Sequence, residues 1–372
     1  MLWTASTAFG LEGQTAKDLK RLGASEVHPL PYGGVSFEAT PAQAYSANMW
    51  LRCADRVMLT VGRFEARSFE ELFEGVRALR WEDYIPRDGK FPIRAHCARS
   101  TLMSPSDCQS IVKKAIVERL KRAYHIEWFQ ETGAAYAVDV SIHSDCVTIS
   151  LDSSGIALNR RGYRTWNGEA PLRETLAASL ALISPWRPSM PLYDPCCGTG
   201  TLLIESAFIA LNRAPGLKRA FSCDDWGFMP KAECQAIREE AIEKFEEGSK
   251  RPLQIAGSDI DPEAIELAKR HIAQAGLNGR IQLAVKDLRD VTPKLEGGVF
   301  LCNPPYGERI GDKRVTQAVA KQLYLLKQRS PGWSLCAITA DTYFEKNAGR
   351  RADKKRRLYN GRLECEFMIF NP

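Results

Sequence analysis

A ten-residue segment at residues 192–201 constrains the fold more strongly than any other part of this 372-residue chain. Its sequence, Leu-Tyr-Asp-Pro-Cys-Cys-Gly-Thr-Gly-Thr, is typical of an apolar strand that ends at a carboxylate and leads into a glycine-rich turn and a helix. Gly198 and Gly200 allow the backbone of that turn to pass close beneath a ligand. Open α/β sheets bind ligands outside the carboxyl ends of their strands. The segment therefore predicts an α/β domain with a ligand site at this turn.

The alternation of apolar and amphipathic segments across residues 161–372 supports this prediction. Buried parallel strands are short apolar runs, and the helices that connect them show a 3.6-residue period. We expect a mostly parallel sheet with helices packed on its faces. The predicted strands are residues 191–193, 254–258, 281–285, 299–302, 334–339 and 363–370, and the predicted helices lie near residues 172–183, 200–211, 231–247, 262–275 and 313–328.

The first 160 residues contain shorter elements in a mixed order, which predicts two small α+β units. Residues 1–65 follow the order β-α-β-β-α-β, which fits a ferredoxin-like unit. In residues 66–160, Ser68 and Glu71 form a capping-box pattern at the start of a helix, and a longer helix is predicted over residues 106–124. The predicted domains are thus residues 1–65, 66–160 and 161–372.

Two further carboxylates follow predicted strands of the same sheet. Asp259 ends the second strand, where a carboxylate can accept both ribose hydroxyls of an adenosine group. Asp261 is interpreted instead as the N-cap of the next helix, because a proline follows it at the first helical position. Asp287 follows the third strand, where it can meet an adenine amino group with the Leu288 amide nearby. Asp194, Asp259 and Asp287 together predict a site for an adenosine-containing cofactor.

Two other cofactor classes are disfavoured by the residues around the glycine-rich turn. The dinucleotide fingerprint needs a third glycine where Leu203 stands, so a nicotinamide-dependent enzyme is disfavoured. No lysine follows the turn, so a phosphate-binding loop is disfavoured as well. The eleven cysteines include no Cys-x-x-Cys pair. Neither a metal site nor a disulfide framework is therefore expected, and a reducing, cytoplasmic setting is favoured.

Residues 299–307, Val-Phe-Leu-Cys-Asn-Pro-Pro-Tyr-Gly, are the most specific feature of the chain. Pro304 and Pro305, directly after an apolar strand, have fixed φ angles and make a rigid loop. The Asn303 side-chain oxygen and the Pro304 carbonyl can then act as paired acceptors for the two N–H groups of an exocyclic amine. Positive charge that develops on this nitrogen during an in-line transfer would be stabilised by the two oxygens. Tyr306 offers an aromatic face on which a target base can stack.

Cys302 directly precedes this loop and raises the alternative of a cysteine nucleophile that attacks a pyrimidine ring. Reactive cysteines need a polarised and accessible environment. Cys302 instead closes an apolar strand. We therefore interpret it as a small core residue.

The charge distribution permits a polyanionic partner. The net charge is +6, and residues 80–124 contain ten Lys and Arg against five Asp and Glu. Within this window, Arg99, Lys113 and Lys114 are the candidate phosphate contacts. A second basic segment, residues 350–357, holds six Lys and Arg and one Asp, and is interpreted as an exposed loop. No apolar run approaches the ~20 residues that a membrane-spanning helix needs, and the N-terminus lacks a signal-peptide pattern.

Several of these segments resemble a known family. Residues 194–200 are similar to the first cofactor motif of class I methyltransferases, and residues 303–306 resemble the Asn-Pro-Pro-Tyr motif that N6-adenine and N2-guanine methyltransferases share. Residues 161–164 and 170–177 resemble the entry to the catalytic domain of RNA methyltransferases that carry a THUMP domain, and residues 354–361 resemble their C-terminal end. The resemblance covers essentially the whole chain and is closest to bacterial 23S rRNA guanine-N2 methyltransferases.

This resemblance implies a Rossmann-like class I methyltransferase domain with a mostly parallel seven-stranded sheet, preceded by a ferredoxin-like unit and a THUMP RNA-binding domain. It implies RNA as the partner and S-adenosylmethionine as the cofactor, with S-adenosylhomocysteine as the product. The implied activity is methylation of the N2 amino group of a flipped-out guanine, in 23S rRNA first. The implied catalytic residues are Asn303, Pro304, Pro305 and Tyr306. The implied cofactor-binding residues are Asp194, Pro195, Cys196, Gly198, Thr199, Gly200, Thr201, Asp259, Ile260, Asp287, Leu288 and Asn303, and Arg161 joins the candidate RNA contacts.

The gap of about 60 residues between Gly198 and Asp259 is long for a βαβ unit. Its extra part, through residues 224–226 and the helix after Pro230, resembles an insertion that is typical of this group.

Alternatives remain open at this point. A tRNA guanine-N2 methyltransferase and an N6-adenine methyltransferase acting on RNA or DNA share the catalytic motif. A non-enzymatic RNA-binding or chaperone module is the alternative of another class. The basic N-terminal half argues against DNA, and the intact Asn303 loop with its three acids argues against a protein without turnover. The sequence does not define the target nucleotide, and it leaves the oligomeric state open, with a monomer favoured.

Overall fold

The computed structural model describes residues 1–31, 33–164, 172–305 and 313–372. The chain divides into two compact units, and each contains its own seven-stranded sheet. The first unit comprises Met1–Thr7, Ala16–Leu158 and Ala220–Arg238, and the second comprises Ala8–Thr15, Asn159–Arg219 and Glu239–Pro372.

The first unit begins with the predicted β-α-β-β-α-β order. Its sheet has the strand order β2-β3-β1-β4-β7-β6-β5, in which only β5 and β6 are parallel neighbours. The elements are β1 (Leu2–Thr7), α1 (Glu12–Arg21), β2 (Ser25–Leu30), β3 (Gly34–Glu38), α2 (Pro41–Trp50), β4 (Ala54–Glu65), α3 (Phe69–Ala78), β5 (Ile93–Ala98), α4 (Pro105–Tyr124), β6 (Val138–His143) and β7 (Cys146–Asp152).

The long strand β4 joins the two predicted N-terminal units into one continuous sheet. Its first half pairs with β1, from Ala54 to Leu59, while residues 58–65 pair with β7 on its other side. Because backbone hydrogen bonds continue across β4, the boundary predicted at residues 65 and 66 falls at the end of a shared strand. The sequence pattern could not reveal this sharing, since one strand has the same alternation whether it has one neighbour or two.

Side-chain caps begin several helices where the sequence predicts them. The Ser68 hydroxyl accepts from the Glu71 amide, and the Glu71 carboxylate accepts in return from the Ser68 amide, which confirms the capping box. Asp261 caps the helix Pro262–Gln274 by accepting from the Glu263 amide at 2.8 Å, which confirms its structural role. Each such cap pairs a backbone donor that the helix itself leaves without a partner.

The segment that resembles an insertion, residues 220–238, packs within the first unit. Its Trp226 is fully buried and stacks on Tyr136, with ring centroids 5.4 Å apart and an interplanar angle of 13°. The Trp226 indole also donates to the Ala135 carbonyl at 3.0 Å. A stacked, hydrogen-bonded tryptophan contributes more than its buried area alone. Trp226 therefore anchors this segment to the first unit.

The second unit is an α/β domain with the strand order β10-β9-β8-β11-β12-β14-β13, as the alternating pattern predicts. Its strands run parallel except β14, which is antiparallel to both of its neighbours. The elements are α5 (Glu174–Ile183), β8 (Leu192–Asp194), α6 (Thr201–Ala210), α7 (Lys231–Gly248), β9 (Ile255–Asp259), α8 (Pro262–Gln274), β10 (Gln282–Val285), β11 (Gly298–Cys302), α9 (Lys313–Gln328), β12 (Trp333–Thr339), α10 (Phe344–Ala348), β13 (Lys354–Asn360) and β14 (Leu363–Phe370).

The interpretation of residues 350–357 as an exposed loop is wrong for the part that begins at Lys354. That part opens β13, the edge strand of the second sheet, which pairs with β14 along its whole length. The strand begins with four successive exposed cations, and Leu358 is its only fully buried residue. Its sequence therefore lacks the alternation of apolar and polar residues that predicts a strand. Backbone pairing with the apolar strand β14 supplies the stabilisation that the β13 side chains do not.

None of the helices in the described part of the chain is long and apolar enough to cross a membrane. Within the same residues, no cluster of His, Cys, Asp and Glu has the arrangement of a metal site.

Candidate active site

The candidate residues meet at the carboxyl edge of the second sheet. Strand β8 lies between β9 and β11, with Asp194 opposite Gly257 and Phe300 opposite Tyr193. Strand order reverses at β8, since β9 and β10 extend to one side and β11 to the other. Such a switch point leaves a crevice, because the helices that follow the two central strands cover opposite faces. The loops after β8, β9, β10 and β11 therefore surround one site.

The glycine-rich turn after β8 is held in shape by backbone hydrogen bonds. The Cys197 amide donates to the Ser258 carbonyl at 3.0 Å, and the Gly200 amide donates to the Cys197 carbonyl at 2.8 Å. Gly198 and Gly200 have φ angles of 49° and 82°, in the left-handed region that favours glycine. A Cβ placed on Gly198 would meet no atom within 4 Å. The turn thus leaves open space directly above its backbone, where a ligand fits and a side chain would intrude.

The carboxylate of Asp259 is oriented by this turn. It accepts from the Gly198 amide at 2.8 Å through Oδ2 and from the Asp261 amide at 3.1 Å through Oδ1. A carboxylate has about four acceptor positions, so further positions remain for two hydroxyl donors. Beside it, Ile260 exposes 68% of its surface. The pair offers an acceptor for a ribose and an apolar surface for an adenine ring, which fits an adenosine group.

Asp194 has a different environment, because it is almost completely buried. Its Oδ1 accepts from the Cys196 amide at 3.1 Å. Burial raises the pKa of Asp194 well above its usual range, and the charge of Asp259 adds to the effect. A cationic group bound beside this carboxylate would favour its ionised form. The environment of Asp194 therefore fits a positively charged ligand.

Asp287 follows β10, but its carboxylate already has a partner in this structure. Arg289 donates to it twice through its side chain, with Nε 3.0 Å from Oδ1 and Nη2 2.7 Å from Oδ2, and its backbone amide also donates. The bound guanidinium is the main reason that the pKa of Asp287 falls to about 2. Asp287 also caps the short 3-10 turn that contains Leu288. The sequence analysis missed Arg289, which stands two residues from the candidate acid.

Asn303 follows β11, and all five residues of that strand are buried. Its side-chain Oδ1 is buried and has no hydrogen-bond partner among the residues that the structure describes. Leaving a buried acceptor without a donor costs about 1–3 kcal/mol, so the atom is suited to a donor on a ligand. Pro304 is buried and Pro305 is exposed. Tyr306, the fourth residue of the motif, lies outside the described residues.

Cys302 has the environment of a core residue. Its side chain is fully buried, and its Sγ lies 3.7 Å from the Cys336 carbonyl, to which it donates. Burial raises the pKa of Cys302 well above the usual thiol range. A buried neutral thiol is inert, so the cysteine-nucleophile alternative has no support from the geometry.

A buried histidine that the sequence analysis missed supports the glycine-rich turn from beneath. His271, on α8, is fully buried, and its Nδ1 lies 3.2 Å from the Thr199 carbonyl. A carbonyl only accepts hydrogen bonds, so Nδ1 carries the proton in this contact. The signal in the sequence was a histidine on the apolar face of an amphipathic helix, which by itself does not indicate its partner.

The arginines before the domain entry form a buried polar network instead of a basic surface. Arg161 is buried, and its Nε lies 3.7 Å from Glu205, which also accepts from the Tyr163 hydroxyl at 2.9 Å. Arg164 donates to the Thr201 hydroxyl at 2.5 Å, at the first residue of α6. The placement of Arg161 in the interior leaves its guanidinium away from any phosphate. We therefore assign Arg161 a structural role instead of the predicted RNA contact.

The other three candidate RNA contacts lie in the first unit. Arg99 and Lys114 are exposed. The Lys113 ammonium lies 2.7 Å from Glu131 and 3.6 Å above the ring of Phe91. Lys113 is therefore held by an ion pair, whereas Arg99 and Lys114, whose ammonium lies 5.7 Å from the centre of the Phe73 ring, remain candidate contacts in the first unit.

The strand order, the single antiparallel strand β14 and the strand-end acids around a glycine-rich turn together define a class I, Rossmann-like methyltransferase domain. Family comparisons agree with this class. Residues 161–369 match the RMKL-like methyltransferase domain, residues 3–58 match the RlmL ferredoxin-like domain, and residues 66–152 match the THUMP domain. The chain belongs to this family of THUMP-containing, RlmL-like methyltransferases.

Two curated relatives align over almost the whole chain. "Putative RNA methyltransferase YpsC" of Bacillus subtilis is 41% identical over 98% of this chain and 94% of its own length. "Ribosomal RNA large subunit methyltransferase K/L" of Shewanella baltica is 35% identical over 98% of this chain and 52% of its own length. The chain thus spans about half the length of the K/L relatives.

Two solved structures have nearly the same fold. A "predicted N6-adenine-specific DNA methylase" of Listeria monocytogenes superposes with a TM-score of 0.93 at 41% identity, over 100% of this chain and 96% of that one. SMU.472, described as a "putative methyltransferase complexed with SAH", superposes with a TM-score of 0.94 at 37% identity, over 100% of this chain and 97% of that one.

Proposed function

We propose that this protein transfers a methyl group from S-adenosylmethionine to the N2 amino group of a guanine in RNA, with large-subunit rRNA as the first substrate to test. The observation that carries the proposal is the buried Oδ1 of Asn303, which lacks a hydrogen-bond donor among the described residues. It stands at the end of β11, adjacent to the strand that leads into the glycine-rich turn. An acceptor in this position suits an amino group that must be oriented toward the cofactor.

Three side chains and the glycine-rich turn would hold the cofactor. Asp259 would accept from its ribose hydroxyls, and Ile260 would cover its adenine ring. Asp194 would be kept ionised by its positive charge. Gly198 leaves the turn open where the cofactor passes. When bound, S-adenosylmethionine supplies an activated methyl group that a nitrogen lone pair can attack directly.

The residues of the Asn303 loop would position the amino nitrogen for that attack. Asn303 Oδ1 and the Pro304 carbonyl would accept its two N–H groups and leave its lone pair directed at the methyl group. The same oxygens would stabilise the positive charge that builds on the nitrogen. The amino proton can leave to solvent after the methyl group has been transferred, so the step needs no dedicated base. A base in helical RNA would have to be flipped out, at a few kcal/mol, and stacking on Tyr306 remains a prediction.

The choice of RNA rests on relatives, and the choice of guanine N2 rests on the resemblance of the sequence motifs to bacterial 23S rRNA guanine-N2 methyltransferases. RNA is named for the Bacillus relative and large-subunit rRNA for the Shewanella relatives. The THUMP match and the exposed cations Arg99 and Lys114 are consistent with an RNA partner. A cytoplasmic location would follow from such a substrate. Adenine N6 is the second candidate target, because the Asn303 loop fits either amino group and the Listeria structure is described as an N6-adenine-specific DNA methylase.

The test is methyl transfer from labelled S-adenosylmethionine to unmodified large-subunit rRNA, tRNA and DNA, with the product nucleoside identified by mass spectrometry. We expect N2-methylguanosine in the rRNA. The same nucleoside in tRNA would support the proposed chemistry and would show that tRNA, not rRNA, is the substrate. N6-methyladenine would overturn the base assignment, and absence of transfer to every RNA, including partly assembled ribosomal particles, would overturn the proposed activity.

A further inference from the structure

The edge strand β13 of the second sheet carries an uninterrupted run of exposed cations. Residues 354–357 read Lys-Lys-Arg-Arg, and all four side chains are exposed. Arg351 before the strand and Arg362 after it are exposed as well. The opposite edge strand, β10, contains no charged residue. Positive charge is therefore concentrated at one edge of this sheet.

The strand register places this basic edge level with the Asn303 loop. Cys302 on β11 pairs with Ala337 on β12, Ala337 pairs with Met368 on β14, and Met368 pairs with Lys355 on β13. Three strand spacings of about 4.8 Å separate β13 from β11, or about 14 Å. Strand β13 runs parallel to β11, so its residues after Lys355 extend beyond the end of β11 on the candidate active-site side. The β13–β14 hairpin thus borders the candidate active site.

The two faces of β13 differ in how their charges are compensated. On one face, Lys355 pairs with Glu345 at 3.0 Å and Arg357 pairs with Glu364 at 3.3 Å. The other face carries Lys354, Arg356 and the buried Leu358. Neither cation has an acidic partner among the described residues, and the same holds for Arg362 in the turn after β13. Arg351 differs, because its charge lies close enough to Glu345 to help lower the pKa of that carboxyl group. Three uncompensated cations, Lys354, Arg356 and Arg362, therefore lie on this hairpin.

Cations on an edge strand also serve to prevent pairing with other chains. Here a neighbouring segment already covers part of that edge. A Cβ on Gly10 would lie only 2.7 Å from the Arg357 carbonyl, and Phe9 packs edge-to-face against Tyr359 with centroids 5.8 Å apart. Because this segment already blocks strand addition there, protection from aggregation does not by itself require three unpaired cations.

We propose that Lys354, Arg356 and Arg362 form an RNA-backbone surface that holds the phosphates next to the target nucleotide. We call these three residues the hairpin cations. This inference rests on the proposed function, and it adds an RNA contact within the catalytic domain to any contact that the first unit makes. Lys and Arg side chains that neutralise phosphates release counterions, so binding through this surface depends on salt.

The test compares two double variants of the full chain. Lys354→Ala with Arg356→Ala removes two hairpin cations. Lys250→Ala with Arg251→Ala is the matched control, because it removes two exposed cations from the same unit, just before β9, which lies on the far side of β8 from β13. Affinity for in-vitro-transcribed large-subunit rRNA is measured at several salt concentrations, together with transfer kinetics, affinity for S-adenosylmethionine and the melting temperature.

We expect the hairpin variant to bind RNA several-fold more weakly, with a salt-dependence slope that is smaller by about two. Its KM for RNA should rise, with kcat, cofactor affinity and melting temperature unchanged, and the control should match the wild type. Equal RNA affinity and slope in the two variants would overturn the hairpin proposal even if the wild type methylates RNA. Failure of the wild type to methylate any RNA would instead overturn the proposed function, and the binding comparison would still decide whether the hairpin contacts RNA.

Discussion

Asp259 and Gly198 are joined by a hydrogen bond of 2.8 Å, from the backbone amide of the glycine-rich turn to the carboxylate that ends β9. The two residues are 61 positions apart in the chain. One carboxylate thus fixes the turn and keeps further acceptor positions for a ligand. If Asp259 binds the cofactor as proposed, cofactor binding and the shape of the turn would be coupled through a single side chain.

Asp259→Asn should weaken binding of S-adenosylmethionine by at least tenfold. The substitution removes a charged acceptor, and hydrogen bonds to charged groups contribute about 1.5–3 kcal/mol. Isothermal titration measures the effect. Asp261→Asn is the control, because it makes the same change of charge two residues away and asparagine caps a helix as well as aspartate does. Equal affinities in the two variants would remove Asp259 from the cofactor site.

Asp194→Asn should raise the melting temperature near neutral pH while it weakens cofactor binding. The pKa of Asp194 in the folded protein is raised well above the value of about 3.9 for an unfolded chain. The carboxyl group of Asp194 therefore stabilises the folded state at low pH. This stabilisation is lost as the pH rises from about 4 through the pKa of Asp194 in the folded protein. Asparagine avoids this loss and retains an oxygen to accept from Cys196.

Thermal melts of the wild type and Asp194→Asn across this pH range provide the measurement. The difference in melting temperature should be small near pH 4 and should grow as the pH rises. A variant that is less stable than the wild type at pH 8 would contradict the assigned effect of burial.

Asn303→Ala should abolish most of the transfer activity and leave cofactor affinity unchanged. Removing one oxygen that stabilises developing charge lowers kcat by about 10²–10³. The variant should remain folded, because the Asn303 oxygen has no hydrogen-bond partner to lose among the described residues. Cys302→Ala, at the preceding position, should retain most of the activity. Inactivity of Cys302→Ala in a folded protein would revive the nucleophile alternative, and loss of cofactor binding in Asn303→Ala would place Asn303 in the cofactor pocket.

His271→Ala should weaken cofactor binding, although His271 would act only through the glycine-rich turn and would not contact the cofactor. The substitution removes the donor to the Thr199 carbonyl and leaves a cavity beneath the turn, so stability should also fall. His271→Asn offers an amide N–H close to the position of Nδ1 and should restore part of the affinity. If Asn and Ala lower cofactor affinity to the same extent, the role of His271 is packing alone.

Arg161→Ala should destabilise the protein strongly, because it takes one of its cationic neighbours from the buried carboxylate of Glu205. Breaking a buried pair costs about 3–5 kcal/mol. Chemical denaturation measures this loss, and RNA titration of the folded fraction separates the two roles of Arg161. A stable variant with weaker RNA binding and a smaller salt slope would restore Arg161 as an RNA contact.

The sequence alone determined the parts of the fold that depend on local chemistry. A glycine-rich turn after an apolar strand, prolines after Asn303 and capping residues such as Asp261 restrict the backbone of their own segment, whatever surrounds it. For that reason the α/β class, most element positions and the candidate loops could be predicted. Periodicity likewise indicated which faces of the helices are buried.

The tertiary structure decided everything that depends on neighbours distant in the chain. It alone buried Arg161 against Glu205 and placed His271 beneath Thr199. It also made Lys354–Asn360 a strand, because the hydrogen bonds and apolar contacts of an edge strand come from its neighbour. A side chain's charge and polarity are written in the sequence, but its partner, its burial and hence its pKa depend on which segments the fold brings together.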